Sequence, residues 1–92
     1  MSTAQAIVAE VVNENREEDL WRVALEVTLP AELKKAGPNP KLSFDLSSLG
    51  NEARAVENPK PSDSPQPMTV SVKGKPRVKV GDQLDIPIAV TP

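Results

Sequence analysis

The chain has 92 residues, a formal net charge of −2 and neither Cys nor His. That length bounds one domain with a modest core, and the missing residue types remove the disulfide and the zinc site with which small domains usually supplement one. The charge balance supplies no general attraction for nucleic acid or an anionic membrane surface, and two aromatic residues, Trp21 and Phe44, are too few for a base-stacking or sugar-binding platform.

The N-terminal stretch has no basic n-region and its apolar run breaks at Glu10, so it does not read as a secretory signal. The expected location is the cytoplasm or a virion. No stretch is long and apolar enough for a membrane span. Both chain ends are expected to be tied to the sheet or to a neighbour.

Residues 5–12 are mostly apolar and lead into the polar run Asn13 to Asp19, which reads as a loop. Trp21, Val23, Leu25, Val27 and Leu29 then alternate with Arg22, Glu26 and Thr28, the period-two pattern of a half-buried strand. The two stretches form a β-hairpin. The hydrophobic pattern predicts a register with Val11 opposite Trp21, Ala9 opposite Val23 and Ile7 opposite Leu25, all facing the core. It leaves Val12 with Leu20, Glu10 with Arg22 and Val8 with Ala24 on the other face.

Pro30 stops this strand, and residues 30–37 read as one or two helical turns with Lys34 and Lys35 near their end and Gly37 as terminator. Pro38-Asn39-Pro40 ends that connector. Leu42, Phe44 and Leu46 then alternate with Ser43, Asp45 and Ser47 as a further strand. Gly50-Asn51 signals a turn, and residues 53–56 read as a short edge strand. From Asn58 to Pro67 there are four prolines in ten residues, which predicts an extended surface loop. Met68, Val70 and Val72 alternate with polar residues, Val78 and Val80 continue after Gly74, Gly81-Asp82 turns, and Leu84, Ile86, Ile88 and Val90 form the last strand. Pro87 on that strand predicts a sheet edge or a bulge, because proline removes a ladder hydrogen bond.

The fold class is therefore all-β: a small antiparallel β-sandwich or open barrel of six to seven short strands with one short helical turn near 30–36, in a single domain over residues 1–92. Asn13 after the first strand, the strand end Leu29-Pro30 and the late run Val80-Gly81-Asp82-Gln83-Leu84-Asp85-Ile86-Pro87-Ile88 resemble the immunoglobulin-like accessory domains common in bacterial and phage proteins. The resemblance implies a fold and no activity.

Catalysis is disfavoured by the missing chemistry. Without His or Cys there is no nucleophilic triad and no thiol, and none of the serines lies in a G-x-S-x-G or S-x-x-K context. Paired carboxylates need a cleft that so small a domain rarely builds. Asp82 and Asp85, three apart, lack the repeated oxygen ligands of a calcium loop, and an Asp after Gly in a turn more often bonds its own backbone. Lys73, Lys75, Arg77 and Lys79 form a basic stripe interrupted by Gly74 and Pro76, which reads as solvated cations at a strand edge. The proline-rich loop reads as a stiff connection.

The expectation is a non-enzymatic structural or interaction protein with no catalytic residue, cofactor or metal. Its most specific form is an accessory, decoration or cement-type subunit of a larger assembly such as a phage capsid. The alternative is a module that binds a soluble protein or carbohydrate, in the manner of an inhibitor or adhesin. Expected partners are another protein or further copies of the chain as a dimer or trimer, with no nucleic acid and no membrane. The predicted contact face holds Val8, Val12, Leu20 and Ala24 around the Glu10 and Arg22 pair, an apolar patch rimmed by charge.

Overall fold

In the computed structural model, which describes residues 2–36, 41–57, 59 and 64–91, the alternating segments become strands. They are β1 (Ser2–Asn15), β2 (Leu20–Thr28), β3 (Lys41–Phe44), β4 (Asn51–Glu57), β5 (Gln66–Lys73) and β6 (Gln83–Thr91), with a 3-10 turn at Ala31–Ala36 between β2 and β3. All pairings are antiparallel. The strands make one continuous sheet of order β3-β6-β1-β2-β5-β4 that curls into a nearly closed barrel. Of the two expected architectures this is the barrel-like one.

The tryptophan-bearing strand and its hairpin partner occupy the centre of that order. Val23, Leu25, Val27 and Leu29 are buried as the alternation predicts, and Met68, Val70 and Val72 on β5 and Ile86 and Ile88 on β6 meet them. Leu33 from the 3-10 turn, with Leu46 and Leu49 from the turn after β3, complete the core. No described buried residue is polar or charged, and the core is built almost wholly of aliphatic side chains with Met68. At the start of β4, Gly50 takes φ +150° with its backbone against the core, where a Cβ would come within 2.8 Å of Val72 Cγ1.

The β1–β2 register differs from the predicted one. Val8 lies opposite Leu25, Glu10 opposite Ala24, Val11 opposite Val23, Val12 opposite Arg22 and Asn13 opposite Trp21. Between Val8 and Glu10 the ladder skips Ala9, a β-bulge that places one extra residue on β1. Below the bulge Ala4, Ala6 and Val8 are buried while Ile7 is 47% exposed; above it Val11 packs on the core. The hydrophobic pattern chose Ile7 over Ala6, whereas the barrel places small residues next to large ones: Ala4 neighbours Ile86, and Ala6 lies between Leu84 and Val27. Ile7 and Ala9 therefore point outward and Val8 inward, the reverse of the expectation.

Trp21 is half-buried against the core rather than enclosed by it. Its Nε1 donates to Asp19 Oδ1 at 2.9 Å, which explains why the indole sits where its polar tip reaches the hairpin turn. Asp19 itself takes φ 53°, the left-handed residue that closes the turn after Arg16, and its carbonyl accepts from the Gly74 N–H at 2.7 Å.

Several boundaries move. β3 ends at Phe44, and Leu46 is buried in the following turn; β4 is an edge strand longer than residues 53–56; β5 begins at Gln66, so Pro67 belongs to a strand. Val78 and Val80 form no strand: residues 74–82 cross one end of the barrel as a loop, with Val78 against the core and Val80 62% exposed. β6 is an interior strand of the sheet without a bulge, but β3 pairs with it only from Ile88 onward, so at Pro87 it is flanked by β1 alone. Pro87 is tolerated because its carbonyl, and hence its missing N–H, face the side on which β3 stops; the Asp45 N–H donates to that carbonyl at 2.9 Å. Gly37 and Pro38-Asn39-Pro40 lie outside the described residues, as do Asn58 and residues 60–63 of the proline-rich stretch.

Candidate interaction surface

The outer face of the hairpin gathers most of the predicted contact residues. Alternation on β2 sends Leu20, Arg22, Ala24 and Glu26 outward, and the bulge on β1 brings Glu10 and Val12 to the same side. Val12, Leu20 and Ala24 are half-buried, while Glu10 and Arg22 are exposed. Val8 is absent from this face: it is 1% exposed in the core, so the expectation is corrected at that residue. The structure thus unites five of the six predicted residues.

The charged pair is also rearranged. Arg22 faces Val12 directly, and its guanidinium lies diagonally between two carboxylates, 3.7 Å from Glu10 Oε1 and 4.0 Å from Glu14 Oε2. These side chains are about half exposed, at 45% for Arg22 and 58% and 55% for the two glutamates. Solvent-exposed ion pairs of that kind contribute at most about 1 kcal/mol, so the trio organises the surface more than it stabilises the fold. Glu14 is a member that sequence reasoning missed, because the predicted loop began at Asn13.

Along β5 the same face continues through Thr69 opposite Ala24, Ser71 opposite Arg22 and Lys73 opposite Leu20. The lower part of the sheet carries a shallow groove of about 210 Å³, lined by Gln5 and Ile7 of β1, Glu26 and Thr28 of β2, Gln83 and Asp85 of β6, and Pro65. Small-molecule sites commonly occupy about 300–1,000 Å³, and this groove is smaller.

The remaining polar residues have structural roles. Asp82 Oδ2 accepts from the Lys79 N–H at 3.0 Å, and the Asp82 N–H donates to the Lys79 carbonyl, so the carboxylate closes the turn into β6. Asp85 faces outward in the groove. Among the described residues no three acidic side chains come together as a metal site. Asp45 accepts from Ser47 Oγ at 2.7 Å and from the Ser47 N–H at 3.1 Å, and these bonds, the hydroxyl first, hold its carboxyl below the usual range. Lys75, Arg77 and Lys79 lie exposed on the 74–82 loop, so the basic stripe does not follow a strand. No described helix is long and apolar enough to cross a membrane.

No protein-family model, no curated protein and no solved structure matches this chain.

Proposed function

We propose that this protein is a non-catalytic interaction module, most specifically an accessory subunit of the decoration or cement type on a larger assembly such as a phage capsid. The observation that carries the reading is the outer hairpin face: Val12, Leu20 and Ala24 half-exposed around an Arg22 clasped by Glu10 and Glu14, on the two central strands of the sheet. A contiguous patch rimmed by charge on a well-supported sheet is the usual anatomy of a protein contact. The filled aliphatic interior argues in the same direction, because function is left to the surface. The patch would meet another subunit or further copies of the chain, as a dimer or trimer.

The test is the pair Val12→Thr and Leu20→Glu, with the new carboxylate opposite Lys73 so that the sheet is not penalised. The parent is expected to form a closed oligomer by light scattering, and the double variant to be monomeric with an unchanged melting transition. A parent that is a folded monomer, or a variant that assembles like it, removes this face from consideration.

A further inference from the structure

β1 is paired on both sides only over its first half. β6 covers Ser2 to Ile7, and the Val8 N–H and C=O finish that side by bonding Asp82 and Gly81 in the turn at 2.9 and 2.8 Å. From Ala9 to Asn15 the only described strand beside β1 is β2, and no described backbone group bonds the opposite edge. Backbone groups alternate sides along a strand, and Val8 points away from β2. With Ala9 inserted as a bulge, the groups that continue on Val8's side are those of Val11 and Asn13. Their N–H and C=O groups form an open ladder in mid-sheet.

Two other edges end the sheet, and both are blunted. β3 offers four residues, Lys41–Phe44. The β4 ladder is broken by register shifts between Asn51 and Arg54 and between Ala55 and Glu57, with Glu52 at φ 51°. The upper half of β1 is longer than β3 and keeps an unbroken register from Glu10 to Asn13, with a further shift between Asn13 and Asn15. It also carries a chemical pattern: Glu10, Val12 and Glu14 follow one another on the outer face, an acid, an aliphatic and an acid.

We infer that this edge receives one extended strand of a partner protein, with a basic, an aliphatic and a basic residue at alternate positions facing Glu10, Val12 and Glu14. Main-chain bonds to Val11 and Asn13 hold the strand and the flanking carboxylates select its charge. A second copy of this chain is the wrong occupant: two-fold antiparallel pairing of β1 centred on Val12 sets Glu10 against Glu14 of the other copy twice, and like charges directly opposite are unfavourable. The inference deepens the interaction-module reading, and rests on it for the existence of a partner, but uses the edge of the hairpin rather than its face.

The probe is a capped peptide, Lys-Thr-Val-Thr-Lys, titrated into the full chain and followed by amide shifts and amide exchange. The Val11 and Asn13 amides should move and gain protection while that of Val12, which faces β2, stays unchanged. Asn13→Pro removes one edge donor without touching the β2 ladder and should weaken binding at least about tenfold. The same peptide N-methylated at alternate amides should fail against the unaltered protein, which covers the case of a proline variant that does not fold. Glu10→Lys with Glu14→Lys should exchange preference for the acidic counterpart, Glu-Thr-Val-Thr-Glu. No response at Val11 and Asn13 up to millimolar peptide, shifts confined to β3 or β4, or undiminished binding of the basic peptide to the double-lysine variant overturns the inference. Protection of Val11 and Asn13 in a dimer without peptide overturns it too, and assigns the edge to self-association. Loss of edge binding leaves the Val12 and Leu20 face test standing, so the two readings fail separately.

Discussion

The two halves of β1 are one continuous strand in two different situations. Below Ala9 the strand has β6 on one side and β2 on the other, and its inward residues Ala4, Ala6 and Val8 are at most 2% exposed. Above Ala9 it has β2 alone, and Asn13, Glu14 and Asn15 are exposed. The difference shows how the bulge at Ala9, the first of two register shifts along β1, divides the strand between a part paired on both sides and a part paired on one. The lower half is built into the core, and the upper half is the part on which the proposed contacts rest.

The sharpest way to break this contrast is to empty each half in turn. Leu25→Ala, opposite Val8, should cost about 2–5 kcal/mol, as deletions in a packed core do, whereas Val12→Ala in the upper half should cost less than about 1 kcal/mol. Urea titration followed by far-ultraviolet dichroism measures both, and equal losses would dissolve the distinction.

Deleting Ala9 addresses the bulge itself. It leaves every cross-strand partner of both halves in place, because Val8 and Glu10 already face opposite sides. The expected loss is about 1–2 kcal/mol, set by lost local twist rather than by any exchanged face. A loss as large as that of Leu25→Ala would mean that the bulge is needed to close the barrel.

At the top of the upper half, Asp19→Ala removes the acceptor of the indole N–H and a residue suited to positive φ. It should cost about 0.5–1.5 kcal/mol and shift the Trp21 emission to the red as the half-buried ring loosens. An unchanged spectrum would show that the bond does not position the ring.

The smallest effect belongs to Asp45, beside β6. Its carboxyl is depressed in the folded chain by the Ser47 hydroxyl and amide, so its contribution is present above the unfolded carboxylate value and is lost as the pH falls through the folded one. Melting temperature against pH on the acid side of about 4 should therefore fall more steeply in the parent than in Asp45→Asn. Parallel curves would exclude a role for the pair.

Much of this was legible in the sequence. The period-two runs at 21–29, 68–72 and 84–88 became strands with the expected faces, because their outward positions, Ala24 apart, carry polar residues or a proline. The β1 register was not legible from its apolar residues, since Ile7, Ala9 and Val11 make as good a stripe as Ala4, Ala6 and Val8. Its polar residues contained the missing signal: Thr3 and Gln5 demand that odd positions face water, while Glu10 and Glu14 demand that even ones do. One strand can satisfy both only by changing parity between Gln5 and Glu10, which is where Ala9 bulges. The Pro87 expectation held only at that residue: what a proline needs is a missing partner for one N–H, and the short β3 supplies it from inside the sheet. On the surface, five of the six residues expected on one outer face share it, and Val8 was lost to the same parity change.

The adjacency of β1 and β6 has a kinetic consequence. Ser2 pairs with Ile88 and Ile7 with Gln83, so the barrel's central seam joins the two most distant strands of the chain. Such long-range pairing is slow, because most of the chain must be ordered before the contact is rewarded. Until β6 arrives, the whole outer edge of β1 is bare, its aliphatic lower part included, and that intermediate is the species most prone to mispair with another molecule. Refolding yield should accordingly depend on protein concentration far more than the stability of the finished fold does, with the last strand acting as the latch that ends the vulnerable interval.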